Sequence, residues 1–277
     1  MTVSIDELFT GVKAIIDEYL ESLLDSTVMQ RSQASPPDLA IRDIDYVTYV
    51  DFVGVAHFSR RSIRDAVQAI KDTAPVGICL ELCPYRYEYL KRTQKDPLTN
   101  AASPETSELV TAVDYLDGGK TDVWLVDMNQ EEIAARVFAL ASLEEARAWK
   151  RIQQHLAQRE AEGLMLWEEG LKEEAMEVFQ GDVGLMRRTF PTLWKVVIVE
   201  RNIFMACSVI SVISHYLERG LTGFKVVLVV GAAHVEGIQQ LLQQPTKAFQ
   251  TLESLGIGFR KPYTLARNDP ARQKKAN

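Results

Sequence analysis

Short apolar runs alternating with amphipathic helical patterns constrain this chain more than any other feature. Tyr46 to Val53, Val76 to Leu80, Val123 to Val126 and Lys225 to Val230 read as strands. Runs that are apolar at successive positions belong to strands covered on both faces, as in a parallel sheet. Between them, Ser59 opens an amphipathic helix with Ile63, Ala66, Val67 and Ile70 inward, and Pro84 suits the first turn of a helix through Leu90. Asn129 with Glu132 offers a cap for a further helix beginning at Glu131. The alternation predicts an α/β fold with a mainly parallel central sheet flanked by helices.

The remaining segments decorate that plan. Leu143 to Gln180 is rich in Glu, Ala and Leu and is interrupted by Gly163 and Gly170, so it reads as two or three helices within a helical insertion at about 143–190. After Pro191 a long helical pattern including Ile198, Phe204, Met205 and Val209 runs to Gly220. A helix near Glu236 to Leu242 and a short strand around Leu252 to Ile257 complete the ordered part. Residues 4–25 carry apolar side chains at helical spacing behind a Ser4/Glu7 capping box, which gives an N-terminal amphipathic helix within 1–28. Its apolar face either packs on the parent domain, dimerises as a homodimer contact, or lies peripherally on a membrane. Gln30 to Leu39, with Pro36-Pro37, reads as a linker, 42–260 as one α/β domain, and 266–277 as a flexible tail.

With 277 residues, 47% of them hydrophobic, the chain can bury a substantial core. A formal net charge of −7 argues against a nucleic-acid partner, and the short basic tail from Arg267 to Lys275 does not reverse that. Three cysteines, Cys79, Cys83 and Cys207, make neither a disulfide framework nor a zinc-finger pair. The acidic N-terminus lacks a signal-peptide pattern, and the longest apolar stretch, Ile203 to Ile213, is broken by serines. These features predict a cytoplasmic chain with no transmembrane segment.

Two segments share one local plan: Val-Asp-Phe-Val-Gly54-Val-Ala-His57 and Val-Leu-Val-Val-Gly231-Ala-Ala-His234. With 15 glycines and 4 histidines in the chain, chance spacing predicts fewer than one Gly-x-x-His pair, and here two close matching strands. Each glycine permits a tight turn at the C-terminal sheet edge, where α/β proteins place their sites. One such histidine alone would as readily cap a helix; the pair points to a shared site, and imidazole is a common ligand of zinc-like metals. His155 and His215 fall in helical stretches and read as surface or packing residues. Glu81 ends the strand Val-Gly-Ile-Cys-Leu, so parallel alignment carries its carboxylate to the same edge, as a ligand, a general base or a helix N-terminal anion. Arg86, one helical turn on, either pairs with Glu81 or binds an anionic substrate group. Glu200 and Arg201 interrupt an apolar run and need partners if buried, which makes them site candidates. No nucleophile elbow, phosphate loop or dinucleotide fingerprint is present.

Four pieces taken in order resemble the TraB/PrgY family: Gly54-Val-Ala-His57-Phe-Ser, Glu81-Leu-Cys-Pro-Tyr-Arg86-Tyr, Glu200-Arg201-Asn202 with Met205-Ala, and Val-Val-Gly231-Ala-Ala-His234-Val-Glu-Gly237-Ile. The resemblance runs from about residue 46 to 243. It implies kinship with a group that includes the Tiki proteins, described as metal-dependent proteases, erythromycin-esterase-like hydrolases and bacterial pheromone-shutdown proteins. Carried over, the Gly-x-x-His turns fall on Gly54 to His57 and Gly231 to His234, the Glu-Leu-Cys motif on Glu81, and the Glu-Arg motif on Glu200-Arg201. Asn202 stands where aspartate is usual, and Val126-Asp127-Met128 stands where the family has Gly-Asp-Arg; Arg136 matches a later family arginine. The resemblance therefore implies a metal-dependent hydrolase acting on a peptide or amide substrate. His57 and His234, with Glu81 or Glu200, would hold Mn, Co or Zn while the other carboxylate activates water. Arg201 would stabilise developing negative charge, and Arg86, Gly54, Gly231 and Arg136 would contact substrate. The alternative is a regulatory protein that sequesters a peptide or small ligand without turnover.

Overall fold

The computed structural model describes residues 41–42, 44–57, 59–93, 109–110 and 121–265. The N-terminal helix expected within 1–28, the linker and the tail lie outside the described residues. The strands are β1 (Val50–Val55), β2 (Gly77–Leu80), β3 (Asp122–Leu125), β4 (Val226–Gly231) and β5 (Tyr263–Leu265). The helices are α1 (Arg60–Thr73), α2 (Pro84–Thr93), α3 (Gln130–Leu140), α4 (Leu143–Glu169), α5 (Lys172–Thr189), α6 (Pro191–Trp194), α7 (Arg201–Glu218), α8 (Ala232–Leu242) and α9 (Pro245–Ser254). A π-helical segment, Lys195–Glu200, precedes α7. The described residues divide into two compact units, one formed by those within 41–128 together with 200–265 and the other by 129–199.

The first unit is an α/β layer fold. Its sheet has the order β1-β4-β2-β3-β5, parallel throughout except for β5, which runs antiparallel to β3. Every residue of β2 and β4 is buried, as the unbroken apolar runs require. Val53, Val55, Ile78, Leu80, Val227 and Val229 pack with Ala66 and Ile70 of α1 into one core. Ser59 caps α1 by accepting from Ser62 N–H at 3.1 Å, and the Ser62 hydroxyl donates to Ala56 O at 2.9 Å, tying the helix start to the end of β1. Ala74, at φ 46°, stops α1. At the far end of the strands, Trp124 Nε1–H donates to the Tyr216 hydroxyl at 3.0 Å. Gly77 makes room there, since a Cβ on it would lie 2.6 Å from that oxygen.

The second unit is helical. Ser142 and Glu145 form a capping box at the start of α4, and Gly170, at φ 94°, ends it in the left-handed region. α4 and α5 pack as a hairpin held by Arg159 Nε–H donating to Asp182 Oδ1 at 2.5 Å and by Trp167 against Phe179 at 6.2 Å. Trp149, Leu156, Phe190 and Leu193 form its core. This unit takes in α3 as well as the segment 143–190.

Several sequence expectations are corrected. Gly163 does not interrupt α4. A Cβ on it would lie 2.5 Å from the Phe179 ring, so this glycine serves the close approach of α5 rather than a break. Leu252 to Ile257 is the end of α9 and its turn rather than a strand, and the last strand is β5. The helix expected near Glu236 begins at Ala232, directly after β4. Tyr46–Tyr49 is a 3-10 turn capped by Asp45, so β1 starts only at Val50. Asn129 is the residue before α3, yet its side chain makes no capping bond. Among the described residues, Pro191–Glu218 is the one stretch long and apolar enough to cross a membrane, and 83% of its apolar window is buried within the protein.

Candidate functional site

The parallel register brings four strand ends level. Val55 pairs with Gly231, Glu81 N–H donates to Val229 O at 3.2 Å, and Val126 N–H donates to Leu80 O at 3.0 Å. β4 lies between β1 and β2, so the two Gly-x-x-His strands are direct neighbours with the Glu81 strand beside them. His57 thus leaves β1, Glu81 leaves β2 and Asp127 leaves β3 at the same edge, while His234 stands in the first turn of α8. Arg201, the first residue of α7, brings in the guanidinium.

Glu81 is the hub. Its Oε2 accepts from Gly231 N–H at 2.5 Å, capping the start of α8 with a carboxylate, and its Oε1 accepts from Arg201 Nη2–H at 2.5 Å. Oε1 also lies 3.5 Å from His234 Nε2 and 3.8 Å from His57 Nε2. Burial pushes the Glu81 carboxyl up. The Arg201 guanidinium and the hydrogen bond from His57 more than offset that, and hold it well below the ordinary range. Arg201 donates from Nε to Asp127 Oδ1 at 3.0 Å and from Nη2 to Asp127 Oδ2 at 2.8 Å, a bidentate pair. Burial opposes its charge, but Asp127 and Glu81 raise its pKa above that of an ordinary arginine.

His234 is held as a neutral acceptor. Its Nδ1 lies 2.6 Å from Asn202 Oδ1, which can only accept, so Nδ1 carries the proton and the Nε2 lone pair faces Arg201 Nη1 at 3.3 Å. Burial first, opposed by Glu81 and reinforced by the Arg201 charge, lowers His234 to about 4. His57 differs: its side chain is 33% exposed, against 2% for Glu81 and 9% for Arg201. Gly231 faces the middle of this group. A Cβ there would lie 3.2 Å from His57 Nε2, 3.3 Å from Glu81 Oε2 and 3.5 Å from His234 Cδ2.

His57, Glu81, Arg201, His234 and Gly231 are therefore brought together. Glu200 is fully buried at the end of the π-helical segment, next in the chain to Arg201. Gly54 borders α8, where a Cβ would lie 3.2 Å from Val235 Cγ2, so its role is close helix packing. Arg86 is half-buried in the first turn of α2, and Arg136 belongs to α3 in the helical unit. His215 packs against Trp124, with ring centroids 5.3 Å apart. Sequence reasoning missed two members of the cluster. Asp127 could have been found from its place just past a strand end, like Glu81. Asn202 is marked in the sequence only as standing where the family has aspartate; its contact with His234 depends on how α7 meets α8, where Gly237 leaves room for the Asn202 amide.

A metal shell of His57, His234 and Glu81 does not fit this arrangement. Both Glu81 oxygens and His234 Nε2 already face a guanidinium or a backbone N–H. A divalent ion on Oε1 would sit within about 5 Å of Arg201 Nη2, with strong like-charge repulsion in a buried setting. Among the described residues, no group of three His, Cys, Asp or Glu side chains is arranged to hold a metal ion.

Comparison with known proteins agrees with the resemblance. Residues 124–251 match the TraB/PrgY/gumN family. A TraB domain-containing protein of Mus musculus is 39% identical over 61 residues, which is 22% of this chain and 16% of that protein; its Bos taurus counterpart is 38% identical over 61 residues, with the same shares. The uncharacterized protein MJ1365 of Methanocaldococcus jannaschii is 23% identical over 220 residues, covering 69% of this chain and 53% of the relative. The matches thus span from about a sixth to about half of the relatives' own lengths. No solved structure matches the chain.

Proposed function

Since residues 124–251 match the TraB/PrgY/gumN family, we propose that the chain is a hydrolase of peptide or amide bonds in which His57 is the general base. One observation carries this reading: within a buried cluster of ionised groups, His57 is the member with a substantial exposed fraction, and it sits beside the buried Glu81 carboxylate. A carboxylate so placed orients an imidazole and stabilises the imidazolium that forms when it takes a proton. In the proposed reaction His57 takes a proton from water as the water oxygen bonds to the carbonyl carbon. The tetrahedral intermediate then collapses, the C–N bond breaks, and His57 returns the proton to the departing nitrogen, leaving a carboxylic acid and an amine. The buried charge of Arg201 offsets negative charge developing nearby.

The test is cleavage of a peptide library and chromogenic amides by wild-type protein and by His57→Ala. A loss of roughly 10²–10⁴-fold is expected for the variant. Equal rates in the two proteins, or no turnover by either, would refute the assignment. A second reading, ligand sequestration without turnover, is favoured by the inward orientation of Arg201, whose described bonds run to Asp127, Glu81 and His234. Peptide binding without cleavage would be its signature. A reducing, cytoplasmic setting belongs to the same proposal and accords with three buried free thiols.

A further inference from the structure

We infer that Arg201 is a built-in cation, occupying the position that a divalent metal would take among these side chains, and that the protein works without a bound metal. Residue types that commonly ligate metals, two imidazoles and two carboxylates, lie near one another, although not in an arrangement that itself holds an ion: His57, His234, Glu81 and Asp127. Glu81, Asp127 and His234 are arranged about a guanidinium, and His57 lies beside Glu81, 3.8 Å from its Oε1. Nη2 bridges Glu81 Oε1 at 2.5 Å and Asp127 Oδ2 at 2.8 Å, Nε completes the bidentate contact with Asp127 at 3.0 Å, and Nη1 meets the His234 lone pair at 3.3 Å. Each of these contacts gives an acceptor the positive partner that it needs when buried.

The orientation of the acceptors supports the same conclusion. Asn202 holds the proton on His234 Nδ1, which turns the Nε2 lone pair toward the guanidinium. Met128 N–H donates to Asp127 Oδ1 at 2.8 Å, so that carboxylate is aimed from its own strand end. Such second contacts commonly orient metal ligands, and here they orient acceptors toward an arginine. The guanidinium is a permanent charge that needs no loading and is always protonated in a protein.

Removing the arginine should therefore turn the cluster into a metal site. Arg201→Ala leaves two carboxylates and the His234 imidazole around an uncompensated position, with His57 next to Glu81, and these are oxygen and nitrogen donors that zinc and cobalt accept. This inference goes beyond the hydrolytic reading and does not depend on it. Metal binding is read without turnover, so a protein found to have no hydrolytic activity leaves it standing, and the reverse also holds.

The experiment is titration of full-length wild-type protein and of Arg201→Ala with cobalt(II), followed by visible d–d absorption, with zinc-dependent thermal shifts and elemental analysis alongside. Wild-type protein is expected to purify without stoichiometric metal and to show no cobalt band. Arg201→Ala is expected to bind cobalt roughly a hundredfold or more tightly than wild type, once the like charge is gone. That band should be lost again in Arg201→Ala/His234→Ala. A variant that folds only when zinc or cobalt is supplied supports the inference equally. Stoichiometric metal in the wild-type protein, lost in His57→Ala and His234→Ala, would overturn it. So would an Arg201→Ala protein that folds and shows neither a band nor a thermal shift. If Arg201→Ala cannot be folded with or without metal, Arg201→Gln takes its place, with the same two outcomes.

Discussion

Glu81 and Asp127 share one guanidinium, and this predicts non-additive stability when both are changed. In wild-type protein Arg201 Nη2 bonds to both carboxylates, with all three side chains less than a tenth exposed. Glu81→Gln alone leaves the bidentate Asp127 pair in place, and Asp127→Asn alone leaves the Glu81 contact and its cap on Gly231 N–H. Each single change removes charge-assisted hydrogen bonds but leaves the arginine a counter-ion, so each should cost about 1.5–3 kcal/mol. The double variant strands a buried guanidinium without an anionic partner, a situation that costs about 3–5 kcal/mol by itself. Neither single variant incurs that cost, so the double loss should exceed the sum of the singles by about 3 kcal/mol or more. Urea unfolding followed by circular dichroism at neutral pH, on wild type, both singles and the double, closes the cycle. Additivity within about 0.5 kcal/mol would refute the shared-cation account, because independent sites behave that way.

Stability should fall as pH is lowered from about 6.5 toward about 4. His234 sits near 4 in the folded protein against an ordinary 6.5, so across that window the unfolded chain binds a proton that the native state does not. The integrated loss is about 3 kcal/mol, and the urea midpoint of His234→Gln should depend less steeply on pH than that of wild type. Glu81 adds to the loss at lower pH, since its depressed carboxyl stabilises the fold above the unfolded value and ceases to do so as pH falls through the folded one. Gly231→Ala should abolish turnover while costing only modest stability, because its methyl enters between His57, Glu81 and His234; unchanged activity would show that the cluster's centre is not used. Gly184→Ala is the contrast: in the interior of α5, with its nearest neighbour 3.5 Å away, it should raise stability by about 0.5–1 kcal/mol in thermal unfolding.

Much of the scaffold was legible because its signals are local. Unbroken apolar runs such as Ile78 to Leu80 and Val226 to Val230 suit strands buried on both faces, and Ser59 caps α1 through its own side chain. Local signals failed where a neighbour decided the outcome. Gly163 looked like a break and is instead a seat for the Phe179 ring, and the segment from Leu252 to Ile257 looked like a strand although α9 continues through Ser254. The candidate site was legible as residue types at strand ends, since in a parallel sheet every C-terminal strand end faces one edge.

The sequence by itself determined which side chains reach that edge: His57, Glu81 and Asp127 follow their strands within two residues, and His234 follows Gly231 by three. Only the tertiary structure decided what they do there. The partner of Arg201 is 120 residues away in Glu81 and 74 away in Asp127, and the partner of His234 is on a different helix, at Asn202. Charge compensation in a buried cluster depends on distances of a few ångströms between elements far apart in the chain, and spacing along the sequence carries no record of them.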